Sequence, residues 1–232
     1  MRRSAPVHHL KRQAKLLART DKIPLHEAQD RVAREQGFAT WSLLAARRAR
    51  AAPEVALLPR LSAGDMLLIG ARPGQGKTML GLRLLRDAVN DGRRAVFFTL
   101  DYSQREAMER MAMLTEGAAG ALPEIVTSDE ISADYIMRYL ADAPRGSVAV
   151  IDYLQILDQQ RHKPDISQQL SELHGFARRT GVILGFISQI DRSFAPERDV
   201  LPRLSDIRRP NPIPVGVFSK MCFLHAGEMR FS

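Results

Sequence analysis

The sequence predicts an α/β domain, a mostly parallel sheet flanked by helices, behind a small N-terminal all-α segment. Three observations predict it. From about residue 63, apolar runs of strand length alternate with longer helical patterns. The first such run enters its helix through a glycine-rich turn, Ala71-Arg-Pro-Gly-Gln-Gly-Lys-Thr78. The charge also changes along the chain. Residues 1–50 hold twelve Lys/Arg and four Asp/Glu, whereas residues 51–232 hold twenty-two of each.

The front segment, residues 1–51, reads as three short helices. Val7, Leu10, Ala14 and Leu17 fall on one helical face. Pro24 suits a first turn, and Leu25, Ala28 and Val32 continue a second helix up to Gly37. A third runs from about Trp41 to Ala51 with Thr40 as N-cap. Two helices joined by a short glycine-containing turn make a helix-turn-helix, with Arg47, Arg48 and Arg50 on or just after its last helix. A helical docking or packing appendage gives the same pattern, so both readings stand. Phe38 and Trp41 are expected in its core.

Residues 52–62, with Pro53 and Pro59, read as a linker, and residues 63–232 as the main domain. Strands are expected near 65–70, 94–100, 146–151 and 182–187. Helices are expected near 77–90, 103–115, 131–142 and 165–180. The β-like runs Val215–Leu224 and Glu228–Phe231 suggest a closing hairpin.

The bulk numbers exclude several classes. The chain has 232 residues, 45% hydrophobic but only 6% aromatic, so its core should be aliphatic. No window approaches a membrane span, and the start has no signal-peptide pattern. The single cysteine, Cys222, excludes an internal disulfide framework and fits a reducing cytoplasm. In an apolar strand it reads as a small buried hydrophobe. His8, His9, His162, His174 and His225 lack partners at metal-ligand spacing. The net charge of +8 sits wholly on the front segment, which suggests an acidic partner, most simply nucleic acid. A solvated charged face is the plainer alternative.

The glycine-rich turn carries the chemistry. A strand, this turn and a helix opening on Gly-Lys-Thr make a phosphate-binding P-loop. Backbone N–H groups of Arg72, Pro73-Gly74, Gln75, Gly76, Lys77, Thr78 and Met79 surround the phosphates, proline supplying only its fixed φ. Lys77 would reach the β/γ-phosphates of ATP, and the Thr78 hydroxyl would ligate Mg²⁺. The motif's usual first glycine is Ala71 here. The apolar run Ser147–Asp152 puts a carboxylate at a strand end, where ligands bind in open α/β sheets, so Asp152 would hold Mg²⁺. Asp101, ending the 94–100 run, would orient the attacking water, or instead cap the helix starting near Ser103. Gln189 would sense the γ-phosphate, or is an ordinary strand-end amide.

Five stretches together resemble a family. Ala71–Thr78, Phe98-Thr-Leu-Asp-Tyr-Ser103, Ile151-Asp-Tyr-Leu-Gln-Ile156, Ile166-Ser-Gln-Gln-Leu170 and Ser188-Gln-Ile-Asp-Arg192 follow the order and approximate spacing of the RecA-like ATPase domain of DnaB-type replicative helicases. The resemblance covers roughly residues 58–209. It implies a RecA-like P-loop fold and an ATP-driven, Mg²⁺-dependent motor on single-stranded DNA, working as a hexameric ring. Contacts to DNA would come from loop residues Arg161, Lys163, Arg192, Arg198 and Arg203, although loop arginines also serve plain solubility. The chain departs from the family in three ways. Asp101 stands where a glutamate is usual. The nearest equivalent of a Lys-x-Arg pair that reaches the neighbouring subunit's ATP is Lys220-Met-Cys222. The primase-binding helical domain is replaced by the basic front segment. A nucleotide-gated regulator or adaptor that hydrolyses slowly, and a small-molecule phosphotransferase, are the competing readings.

Overall fold

A computed structural model describes residues 7–41, 43–44, 55–115, 122–158, 164–191, 194, 201–207, 213–214, 216–225 and 227–232. In the front segment, α1 (Val7–Thr20) and α2 (Leu25–Glu35) bury Leu10, Ala14, Ala28, Val32 and Ala33 against Leu44. Phe38 and Trp41 pack on this cluster, as expected. After the turn at Gly37, Thr40 Oγ1 accepts the Leu43 N–H at 3.3 Å, the N-cap anticipated for a third helix. Residues 45–51, with Arg47, Arg48 and Arg50, lie outside the described residues.

The main domain is one seven-stranded sheet: β1 (Met66–Ala71), β2 (Ala95–Thr99), β3 (Glu124–Val126), β4 (Val148–Asp152), β5 (Ile183–Gln189), β6 (Lys220–His225) and β7 (Glu228–Phe231). Its order is β3-β2-β4-β5-β1-β6-β7, parallel except for the β6–β7 hairpin. The strand runs are continuously apolar because both faces are covered. On one face Met66, Leu68, Phe98, Ile151 and Phe186 meet α5 (Ala133–Tyr139) and α6 (Ile166–Thr180). On the other, Leu67, Ile69, Phe97, Val150 and Ile187 meet α3 (Lys77–Asn90) and α4 (Gln104–Thr115).

Three details differ from the sequence expectation. Edge strand β3 was not anticipated; three residues carry too little periodicity to register. Helix α5 is half the expected length, starting at Ser132, whose hydroxyl accepts the Tyr135 N–H. Within the stretch read as a linker, Leu57, Leu58 and Leu61 are buried around a 3₁₀ turn, Leu58–Arg60, against the α3 side of the sheet. Among the described residues no helix is long and apolar enough to cross a membrane.

Candidate functional site at the carboxyl edge of the sheet

Register brings four strand ends together. Ala71 of β1 lies beside Gln189 of β5, Ile187 of β5 beside Asp152 of β4, and Asp152 beside Thr99 of β2. The expected phosphate loop, Asp152, Asp101 and Gln189 therefore share one edge, where an α/β sheet receives its ligands.

The loop leaves β1 at Arg72 and enters α3 at Lys77. Gly74 and Gly76 hold φ of 75° and 85°, left-handed values that a side chain would strain, and a Cβ on Gly74 would meet nothing within 4 Å. The first turn of α3, like any helix start, has N–H groups without intrahelical partners, and it follows directly on this loop. The helix is held close to the sheet. A Cβ on Gly81 would come within 2.8 Å of Ile187 Cδ1.

Asp152 is 1% exposed. Burial pushes its carboxyl up to about 6, opposed by a hydrogen bond donated by the Thr78 hydroxyl and by the charge of Lys77. Its Oδ2 is buried with no hydrogen-bond partner. A desolvated, half-satisfied carboxylate joined to a P-loop hydroxyl is an oxygen donor set that suits a hard divalent cation. The residues present fit Mg²⁺ at Thr78 and Asp152.

Asp101 does not cap the following helix. Ser103 does: its Oγ accepts the Glu106 N–H at 3.3 Å, and Glu106 Oε2 accepts the Ser103 N–H at 2.9 Å. Asp101 is left at the strand end, where desolvation raises its carboxyl above the ordinary value and Lys77 pulls it down. Two cations therefore act on the acids here. The second is Arg110, which helps hold Asp152 ionised and stacks over Tyr102 at 4.4 Å. Sequence reading missed Arg110. Its signal was its position nine residues after Asp101 on the helix that Ser103 opens.

A second missed group joins the loop to the segment beyond β5. Arg72 donates to the Phe194 carbonyl at 2.8 Å and lies over the Phe194 ring, which meets His225 edge-on at 5.6 Å. Gln155 Nε2 donates to Ser188 Oγ at 3.3 Å, tying the turn after β4 to the end of β5 beside Gln189. Buried Gln169 holds the far side of that turn, donating to the Leu157 and Pro164 carbonyls and accepting the Ala133 N–H.

Strand polarity locates the tail motif. Lys220-Met221-Cys222 opens β6 at the sheet's opposite end, with Cys222 buried beside Ile69. The strand arrives at the P-loop edge at Leu224-His225 and turns back through Gly227. Burial pushes the Cys222 thiol up to about 12, which fits an inert hydrophobe. Of the basic loop residues, Arg203 is described and exposed. Arg161, Lys163, Arg192 and Arg198 lie outside the described residues.

Comparison with known proteins agrees with this geometry. The profile of the DnaB-like helicase C-terminal domain matches residues 57–120. The replicative DNA helicase DnaB of Mycoplasma pneumoniae is 26% identical over 190 residues, 65% of this chain and 40% of that protein. The DnaB of Geobacillus stearothermophilus is 28% identical over 195 residues, 67% and 43%. The chain thus spans about two-fifths of the length of these relatives. Among solved structures, a DnaB-like replicative helicase, studied with its primase interactions, superposes with a TM-score of 0.59 at 19% identity, over 94% of this chain and 66% of that one. A separately solved ATPase domain superposes at 0.58 and 18% identity over 79% and 82%. The chain resembles the C-terminal ATPase domain of DnaB-type helicases, and its fold is the RecA-like one.

Proposed function

We propose that the main domain is a Mg²⁺-dependent ATPase of the DnaB helicase type that acts on DNA. The observation that carries this reading is the shared sheet edge. It sets the P-loop, a buried carboxylate tied to Thr78, and a second carboxylate under the influence of Lys77 side by side. Lys77 and the α3 N-terminus bind and orient the phosphates. Asp152 and Thr78 would hold the magnesium ion, which when bound neutralises phosphate charge. Asp101 orients the attacking water. Gln189, at the end of the strand between β1 and β4, would register the terminal phosphate. Arg72 and Phe194 link that region to the basic stretch carrying Arg192, Arg198 and Arg203. With Arg161 and Lys163, these supply sequence-independent contacts to single-stranded DNA. Assembly as a hexameric ring and a cytoplasmic location belong to the same reading, by analogy with the helicases the chain resembles.

A second reading is favoured by one specific observation. The tail stretch nearest the Lys-x-Arg pair that would reach a neighbouring subunit's ATP, Lys220 to Glu228, holds no arginine. An arginine finger is worth about 10³–10⁵ in rate. Without one, the same site binds ATP, hydrolyses it slowly and gates a partner.

One experiment separates them: steady-state ATP hydrolysis with and without single-stranded DNA, with Lys77→Ala as control and the assembly mass measured in ATP. DNA-stimulated turnover by a hexamer, abolished by Lys77→Ala, is the expected result. Tight ATP binding with slow, DNA-indifferent turnover and no ring would replace the motor with the regulator.

A further inference from the structure

We propose that the front helical module carries a separate binding surface, on the outward face of α1, for the phosphate backbone of duplex nucleic acid. The argument starts from charge pairing. Residues 1–50 contain four acids, Asp21, Glu27, Asp30 and Glu35. All four are engaged inside the module. Asp21 and Glu27 both bind Arg31, at 3.2 and 3.0 Å. Glu35 accepts from Gln13 at 2.9 Å, and Asp30 accepts the Trp41 N–H at 2.8 Å. Among the described residues, no acid pairs with Arg12, Lys15 or Arg19 of α1.

Those cations are ordered on one side. Arg12, Lys15 and Arg19 are all exposed and spaced three and four residues apart, which places them on one helical face. Leu10 and Ala14 point the other way, into the module's core. The result is a rigid cationic stripe about 10 Å long. An isolated surface lysine needs no explanation. A stripe of exposed cations that no acid of the module pairs, two of its four acids being held by Arg31, suits an external polyanion.

The aromatic side chains choose the form of nucleic acid. Proteins that grip single strands stack bases on exposed aromatic rings. The two aromatic residues of this module, Phe38 and Trp41, pack on its own core instead. That leaves contact to phosphates alone, and duplex nucleic acid presents phosphates in a fixed, dense array. The surface goes beyond the ATPase reading and does not depend on it.

The test uses the full chain without nucleotide. Anisotropy of a labelled mixed-sequence duplex and of a matching single strand is followed across a salt series, for wild type and for Arg12→Gln/Lys15→Gln/Arg19→Gln. Trp41 is the chain's only tryptophan, so its emission reports whether the module is folded. The expected result is duplex affinity lower by roughly 10²-fold at 0.1 M salt, with the salt slope shallower by between about two and three. Lys15→Glu, at one exposed helical position, shifts both in the same direction and decides the matter if the triple variant perturbs Trp41. Repeating the titration in a Lys77→Ala background separates this surface from the ATPase site: duplex binding persists there even if no hydrolysis is ever found. Unchanged duplex affinity and slope with native Trp41 emission overturns the proposal. So does binding through the stripe to the single strand as tightly as to duplex, or to phosphatidylserine vesicles in place of nucleic acid.

Discussion

Replacing Asp152 by asparagine should stabilise the protein without nucleotide while destroying its response to magnesium and ATP. Asp152 titrates near 6 in the folded chain against 3.8 ordinarily, chiefly because it is buried. Between those pH values the native state binds more protons than the unfolded chain, so stability falls as pH rises through the window and the full penalty applies above about 6. At about 1.36 kcal/mol per pH unit the penalty at pH 7.5 approaches 3 kcal/mol. Asparagine keeps the shape and an oxygen for Thr78 but carries no charge. The variant should therefore melt higher at pH 7.5, by up to roughly 6–12 °C for a chain of this size. The gain should shrink steadily towards pH 4, where both proteins are neutral at this position. With Mg²⁺ and nucleotide near 100 times Kd, wild type should recover about 2.7 kcal/mol and the variant little. Thermal unfolding at four pH values, with and without Mg-ATP, measures all of this. A variant less stable than wild type at pH 7.5, or a difference that does not change with pH, would show that Thr78 and Lys77 already satisfy the carboxylate, and the cation site would lose its physical basis.

The same geometry sets four further outcomes. Asp101→Glu restores the longer carboxylate usual in the resembling family and should raise ATP turnover by as much as ~10²-fold, measured by phosphate release. Gly81→Ala drives a methyl to 2.8 Å from Ile187 Cδ1 and should cost about 1–3 kcal/mol in urea unfolding, because Ile187 must repack in a filled core. Gln169→Leu leaves the Ala133 N–H and the Leu157 carbonyl without partners and should cost about 2–4 kcal/mol by the same assay. Ser103→Ala removes one half of the α4 capping box and should cost about 1 kcal/mol, whereas Asp101→Ala should leave helix stability unchanged.

Legibility in the sequence tracked the range of the forces involved. The phosphate loop was readable because its demands are local: left-handed glycines, a helix start and a lysine, all within eight residues. The strands were readable because burial on both faces writes continuous apolar runs such as Val148–Ile151. The role of Ser103 was hidden behind that of Asp101, since both stand at a plausible helix start and only the reciprocal bonds with Glu106 tell them apart. The Arg72–Phe194–His225 contact was out of reach because it joins three segments up to about 150 residues apart through ring packing that no spacing encodes.

The position of Lys220-Met-Cys222 shows a sharper limit. A strand's polarity in a sheet is not written in its composition, and a short motif can be assigned to either end of it. β6 runs parallel to β1, so its first residues sit at the sheet's far end and its last at the P-loop. The same polarity governs β5. Because β5 lies between β1 and β4, Gln189 ends beside the P-loop strand while Ile187, two residues earlier, ends beside Asp152. β5 thus pairs with both the strand that leads into the P-loop and the strand that ends in Asp152. Gln155 ties Ser188 of β5 to the turn after β4, and Arg72 ties the P-loop to Phe194 beyond β5. The end of β5 is therefore held from both sides, by its pairing with β1 and with β4, so a change at either neighbouring strand end acts on it directly.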